Sequence, residues 1–355
     1  MKDSKHFELG KMSRRIVMRN FGVTAAAAVA MNAVPKAFAA MASAVAQPEE
    51  AGKAFPVLTV NHISLAATDY AKSRDWYRDL FGMRLTWDDG TKCALEFGSL
   101  TEPNGMFITQ VPKKGDPAIV GHFALGAKNV LENLPAMKAE MERRGLKNIR
   151  PDGAVGWSAL DPAGYQLNTW VPIKDTAMYP GAGTPCAVVP STACTEAYQA
   201  GLKNLASFPK VSGKGFQASS YSNIVLNVPE ADIATEKEFY TGMLGMKLIY
   251  ENNDSGNPAA FLRFGRNTLF LRKTEQPNQK PYVNHYGFVI DSYDHGKVGA
   301  ELKRRGLNPT SDSKLAWVVA DPDGMKVEVT GWGLAEHLAK ECSGAAASCP
   351  VGVRA

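Results

Sequence analysis

No stretch of the 355-residue sequence is long and apolar enough to carry a helix across a bilayer, which takes about 20 residues. No Cys-x-x-Cys pair occurs, so zinc-ribbon and thioredoxin-like chemistry have no footing. A phosphate loop, a Gly-rich dinucleotide fingerprint and a Ser-His-Asp set are missing as well. An excess of charge is missing less obviously. The formal net charge is +5, but residues 1–46 hold seven basic and two acidic side chains, leaving 33 of each sign in the remainder. Beyond residue 46 there is no net electrostatic footprint for nucleic acid or anionic lipid.

What is present is the composition of a folded chain. With 45% hydrophobic and 21% charged residues it is neither disordered nor fibrous, and its length suits two domains of about 150 residues. Residues 1–46 have the three parts of an export peptide. A basic region ends in Ser13-Arg14-Arg15-Ile16-Val17-Met18-Arg19, which resembles the bacterial twin-arginine motif. The Ala-rich stretch Phe21–Val34 follows, too short to span a membrane, and then small-x-small sites at Ala37-Phe38-Ala39 and Ala42-Ser43-Ala44. The expectation is recognition by the twin-arginine translocation machinery, no stable membrane anchor, and a periplasmic or secreted product. Cys186, Cys194, Cys342 and Cys349 lie in small-residue segments where short-loop disulfides suit an oxidising compartment, and the pairings 186–342 and 194–349 stay open. Cys93 alternates with apolar neighbours and reads as a core residue.

Internal repetition is the strongest signal. Residues 58–65 are strand-like, and 69–82 are amphipathic, with Trp76, Tyr77, Leu80 and Phe81 on one helical face ending at Gly82. Short alternating segments follow at Met83–Trp87, Cys93–Phe97 and Gly105–Val111, giving the order β-α-β-β-β. The order recurs at 119–172, 220–273 and 283–331. Phe239-Tyr240-Thr241-Gly242-Met243-Leu244-Gly245 echoes Trp76-Tyr77-Arg78-Asp79-Leu80-Phe81-Gly82; Arg304-Arg305-Gly306-Leu307 echoes Arg143-Arg144-Gly145-Leu146; Asp321-Pro322-Asp323-Gly324 echoes Asp161-Pro162-Ala163-Gly164. Copies one and three, like two and four, are 160 to 163 residues apart, so a pair has been duplicated. The reading is an export peptide at 1–46, a domain of two modules at 57–172, a Pro/Gly/Ala-rich linker at 173–219, a second two-module domain at 220–332, and a tail at 333–355.

On these residues the chain resembles the vicinal oxygen chelate superfamily, which includes glyoxalase I, extradiol dioxygenases and bleomycin resistance proteins. The resemblance rests on the Asn61-His62-Ile63 and Gly121-His122-Phe123 strand openings, the aromatic helix closing at Leu80-Phe81-Gly82, and Asp321-Pro322-Asp323-Gly324-Met325-Lys326-Val327-Glu328. It implies an α+β fold in which four βαβββ modules form two cupped mixed sheets, each able to hold a divalent metal. Carried over, the first-strand ligand position holds His62, His122, Asn223 and His285. The last-strand position holds Asn168 in copy two and Glu328 in copy four; copies one and three offer Thr109 or Gln110, and Arg272.

Two imidazoles and a carboxylate with open positions suit Fe(II) first, and also Mn(II), Zn(II) or Ni(II). Pairing of adjacent copies gives His62, His122 and Asn168 in one cup and Asn223, His285 and Glu328 in the other, each one substitution short. Pairing copy one with copy four gives His62, His285 and Glu328, a complete triad and therefore the expected site, with Glu328 also the catalytic candidate. The implied function is a metal-dependent enzyme acting on a small vicinal-oxygen or aromatic substrate by dioxygenase or lyase/isomerase chemistry; the alternative is a binding protein without turnover. The Tyr that extradiol enzymes carry three residues before the final Asp-Pro is Val318 here, and Ser158 in copy two. The protein is expected as a monomer or homodimer. Trp157 and Trp317 read as packing residues, and His295 and His337 as solvated.

Overall fold

The computed structural model describes residues 55–99, 103–152, 156–170, 215–253 and 258–332. The export peptide, most of the linker, the tail with His337, and the four paired-cysteine candidates lie outside the described residues.

Copy one runs β1 (Val57–Ala67), α1 (Tyr70–Phe81), β2 (Arg84–Asp88), β3 (Lys92–Gly98) and β4 (Pro103–Gln110). Copy two follows as β5 (Ile119–Ala127), α2 (Val130–Arg143), β6 (Lys147–Pro151), β7 (Gly156–Leu160) and β8 (Gln166–Trp170). Copy three comprises β9 (Ala218–Val228), α3 (Ile233–Gly242), β10 (Lys247–Asn252), β11 (Ala259–Phe264) and β12 (Asn267–Lys273). Copy four comprises β13 (Tyr282–Ile290), α4 (His295–Arg304), β14 (Thr310–Ser313), β15 (Ala316–Ala320) and β16 (Lys326–Thr330). Local chemistry sets the boundaries. Asp69 accepts from the Lys72 N–H at the start of α1, and Asp294 from Lys297 at the start of α4. Gly82 ends α1 in the left-handed region at φ 63°, where a Cβ would be costly.

The strands make two eight-stranded sheets, ordered β2-β3-β4-β1-β5-β8-β7-β6 and β10-β11-β12-β9-β13-β16-β15-β14. Each first strand lies parallel to its own last strand, and the first strands run antiparallel side by side in two pairs, β1 with β5 and β9 with β13. This corrects the expected cross-pairing: copy one joins copy two, and copy three joins copy four. Only eight residues, 111–118, separate β4 from β5, and eight, 274–281, separate β12 from β13. Connections that short keep the second module beside the one that precedes it, with β5 laid against β1 and β13 against β9.

Copies one and four do meet, but through their outer faces. The Tyr77 hydroxyl of α1 lies 2.5 Å from the Tyr286 hydroxyl of β13 and donates to Asp321 at 2.8 Å, while Phe81 packs on Phe288 with ring centroids 4.6 Å apart. Symmetrically, Tyr240 of α3 donates to Asp161 in copy two at 3.1 Å. The helices and both outer faces share one continuous core, which includes Tyr77, Phe81, Leu125, Tyr240, Phe288 and the buried Cys93 thiol. Trp157 and Trp317 pack against it, each indole donating to a backbone carbonyl at 2.8 Å.

Candidate functional site

Each first strand carries a break in register at the expected ligand position. In β1, Val60 and Ile63 both face the core although three residues apart, because Asn61 is an extra residue in the pairing with β5. Gly121 is extra in β5 and Asn284 in β13, and the β9–β13 register breaks again around Ser222 and Asn223. A bulge of this kind re-aims one side chain. Here it turns His62, His122, Asn223 and His285 onto the concave faces. The residue before often fixes its neighbour: His62 Nδ1 lies 2.8 Å from Asn61 Oδ1, His285 Nδ1 lies 2.9 Å from Asn284 Oδ1, and Ser222 Oγ donates to Asn223 Oδ1 at 2.5 Å. The doubled Asn-His and the three-residue spacing of core positions carried this signal in the sequence.

In the first cup, His62 and His122 face each other with their Nε2 atoms 3.2 Å apart. Asn61 Oδ1 accepts the His62 Nδ1–H, which sets the tautomer and leaves the Nε2 lone pair toward His122. Burial, with His122 adding to it, holds His62 well below the usual histidine range, and burial plus the Arg150 charge holds His122 at about 4. Both rings are neutral at neutral pH. The His62 ring is packed edge-on against Phe107 at 4.7 Å and Trp170 at 4.9 Å. Asn168 is held by Asp152, whose Oδ2 also accepts from Trp170 Nε1 at 2.5 Å. Asn168 Oδ1 is buried without a hydrogen-bond partner. Burial raises the Asp152 carboxyl despite those donors. Asp152 and Trp170 were not foreseen: Asp152 does recur as Asp312, five residues before the equivalent tryptophan, but carries no ligand-position signature, and Trp170 has Thr330 in its place.

In the second cup, Asn223, His285 and Glu328 share the concave face of the other sheet. Glu328 lies opposite Gly287, where a Cβ would fall 2.2 Å from Asn223 Oδ1 and 2.3 Å from Ser222 Oγ. The charges acting on His285 are those of Arg272 and Lys326, which together with the larger effect of burial lower it to about 3.

The expected triad of His62, His285 and Glu328 is not assembled, because His62 belongs to one sheet and the other two to its counterpart. Among the described residues no three His, Cys, Asp or Glu side chains cluster as a metal site. Register also corrects the last-strand position in copies one and three. Ser64 pairs with Phe107 and Val225 with Phe270, as Ala124 pairs with Asn168 and Gly287 with Glu328, so that position is aromatic; Thr109 and Arg272 lie two residues further on.

A divalent ion fits the first cup better than the second. Two metal–nitrogen bonds of about 2.0–2.1 Å near a right angle put their nitrogens about 3 Å apart, as the two Nε2 atoms are, and Asn168 Oδ1 adds a third lone pair on the same face. The ring orientation by Asn61 is the outer-shell support that metal-bound imidazoles have. In the second cup, Arg272 and Lys326 oppose a cation beside His285.

The family model described as the Glyoxalase/Bleomycin resistance protein/Dioxygenase superfamily matches residues 59–169 and 223–329. Similar solved structures include the 2,3-dioxygenase LapB from Pseudomonas sp. KL28, with 16% identity over 79% of this chain and 93% of that one, TM-score 0.57. The Mn(II)-bound glyoxalase from Novosphingobium aromaticivorans is 15% identical over 78% of this chain and 83% of its own, TM-score 0.55. An extradiol ring-cleaving dioxygenase from B. fuscum is 15% identical over 80% and 74%, TM-score 0.54. At these identities the likeness is one of fold. No curated protein is significantly similar to the chain.

Proposed function

The chain belongs to the glyoxalase/bleomycin resistance protein/dioxygenase superfamily, and from that premise we propose that it is an exported, metal-dependent enzyme whose ion is held by His62 and His122 in the first cup. The observation that carries this reading is the pair of buried Nε2 atoms 3.2 Å apart. Asn168 Oδ1 completes the donor set, and Asp152 behind it supplies the nearest carboxylate in the described surroundings of that amide. When bound, the ion supplies a Lewis acid for two oxygens of a small vicinal-oxygen or aromatic substrate.

The donors from this chain are all neutral, so they leave the ion's charge largely uncompensated. That favours polarising a substrate over changing oxidation state, and supports lyase or isomerase chemistry ahead of oxygenation. Phe107 and Trp170 exclude water from one side of His62. Asp152, its carboxyl raised by burial and held by Asn168 and Trp170, is the carboxylate of the first cup offered to act as its base. Glu328, the residue expected to do so, stands in the other sheet.

Elemental analysis of the purified protein, beside His62→Ala, His122→Ala and His285→Ala, tests the reading. About one Fe, Mn, Zn or Ni per chain is expected in the unaltered protein. His62→Ala and His122→Ala lose it, and His285→Ala keeps it. Metal retained in the first two variants contradicts the assignment. Oxygen uptake coupled to catechol loss would indicate dioxygenase chemistry instead, and a metal-free native protein would indicate a binding protein.

A further inference from the structure

His62 is aimed by a bulge in copy one, yet groups that hold that bulge come from copy three. β4 pairs with β1 from His62 onward. Upstream of that point, amides in and just before β1 find their acceptors in copy three, as buried N–H groups must find them somewhere. The Phe55 N–H donates to the Met243 carbonyl at 2.9 Å and the Val57 N–H to that of Leu244 at 3.0 Å, both at the end of α3. The β11–β12 turn lies directly on β1: a Cβ at Gly265 would fall 2.1 Å from the Leu58 oxygen. Asn267, the first residue of β12, then accepts the Val60 N–H through Oδ1 at 3.2 Å.

Val60 immediately precedes the extra residue Asn61, so the start of the bulge is held by a side chain 207 residues away. Asn267 is itself fixed, since its Nδ2 donates to the Tyr221 carbonyl at 2.5 Å. Tyr221 of β9 reaches back to copy one with its side chain. Its hydroxyl donates to the Gly105 carbonyl at 2.6 Å and takes the Ile63 backbone as its other partner. Gly105 is the residue of β4 paired with His62. One chain of hydrogen bonds therefore closes around His62, running from Val60 through Asn267 and Tyr221 to Ile63 and Gly105. Val60, Asn267 and Tyr221 are all buried, so bulk water does not replace a lost partner.

Resting on the reading that the first cup holds an ion, we propose that Asn267 and Tyr221 are positioning residues for His62, through which copy three sets the aim of a metal ligand in copy one. A bulge re-aims a side chain, and because it disrupts the ladder locally it depends on partners outside the ladder to keep its course. With Val60 and Gly105 both tied, the His62 ring stays against Asn61 Oδ1 and its Nε2 stays 3.2 Å from that of His122. Neither Asn267 nor Tyr221 is a ligand; each acts through the backbone of β1 or β4. Loosening either lets the two Nε2 atoms leave the spacing that one metal requires. Partners just behind a metal's ligands are worth about 10–100-fold in affinity, and these two stand one layer further out, at the lower end of that range.

The test has two readouts. In the first, the full chain freed of metal is titrated with Mn(II) alone, followed by the paramagnetic resonance of the unbound ion. Asn267→Ala and Tyr221→Phe should each weaken binding about tenfold. Tyr77→Phe removes a buried contact of the same kind between copies one and four, and should bind Mn(II) as the unaltered protein does. In the second, the metal-free proteins are labelled at the histidine ring nitrogens for nuclear magnetic resonance. The His62 ring signals, identified by their absence from His62→Ala, should shift in Asn267→Ala and Tyr221→Phe and stay in place in Tyr77→Phe. Melting curves show that each variant is folded, and Tyr221→Phe keeps its ring in the core should Asn267→Ala fail to fold. Ring signals unchanged in both variants, ring signals moved equally by Tyr77→Phe, or native Mn(II) affinity in both variants with loss in His62→Ala would each overturn the proposal. Mn(II) binding indifferent to His62→Ala overturns the reading of the cup instead, and the ring signals still decide whether Asn267 and Tyr221 position His62.

Discussion

Glu236 in α3 and Ser73 in α1 occupy equivalent places in the duplicated pair, yet they meet the facing turn in opposite chemical senses. Ser73 donates to the Asp323 carboxylate at 2.8 Å. Glu236 instead brings a second carboxylate to a turn that already contains Asp161, accepting from the Ala163 N–H. Burial first, and then the charge of Asp161, raises Glu236, and burial raises Asp161 against donors from Tyr165 and Tyr240. Tyr165, Tyr240 and Asp232 are the titratable groups with the largest further effects; Arg143, Arg144 and Lys147 line the cleft beside Asp161 but do not offset its burial. The folded state therefore holds a proton that the unfolded chain releases above about pH 4. By linkage, stability is greatest at the acid end and falls as pH rises through the raised folded values. Thermal midpoints measured at about pH 6 and pH 9 should drop for the native protein, and Glu236→Gln should flatten that drop. The pairing was illegible in the sequence, where Glu236 is one acidic residue among several on an exposed-looking helix. Histidine was different: three of six fell on equivalent positions, and repetition made them visible before any geometry was known.

At the scale of the element, helices and turns were the most readable parts. The Asp-x-x caps and the glycines past each helix act locally, and their spacing survives in the sequence. Asp69→Ala and Asp294→Ala should each cost about 1 kcal/mol, read from denaturant unfolding, because each removes the acceptor for an orphan N–H of the first turn. Strand bulges were harder to see. One inserted residue shifts the alternation and leaves composition unchanged, so Val60 and Ile63 look like neighbours out of phase and not like two core residues around a re-aimed His62. Gly287 measures how tightly this device is packed: Gly287→Ala should lower the melting temperature, since the new methyl meets Asn223 and Ser222.

For the whole molecule, duplication produced two cups of one shape and different chemistry. The four modules and their two sheets follow from the repeats, but which modules share a sheet does not, because every copy has the same periodicity and a compatible first strand on either side. Short connections decide it. The outer-face contacts then unite the two sheets through the Tyr77–Tyr286–Asp321 cluster. Tyr77→Phe removes the donor to a buried carboxyl that burial already raises, and should cost about 1–3 kcal/mol while calorimetry still shows a single transition.

Metal binding by the first cup is the central claim, and a crystal grown with Mn(II) or Fe(II) and measured at the metal's absorption edge tests it most directly. The account predicts an anomalous peak shared by the Nε2 atoms of His62 and His122. A peak on His285 and Glu328, with none in the first cup, would contradict it.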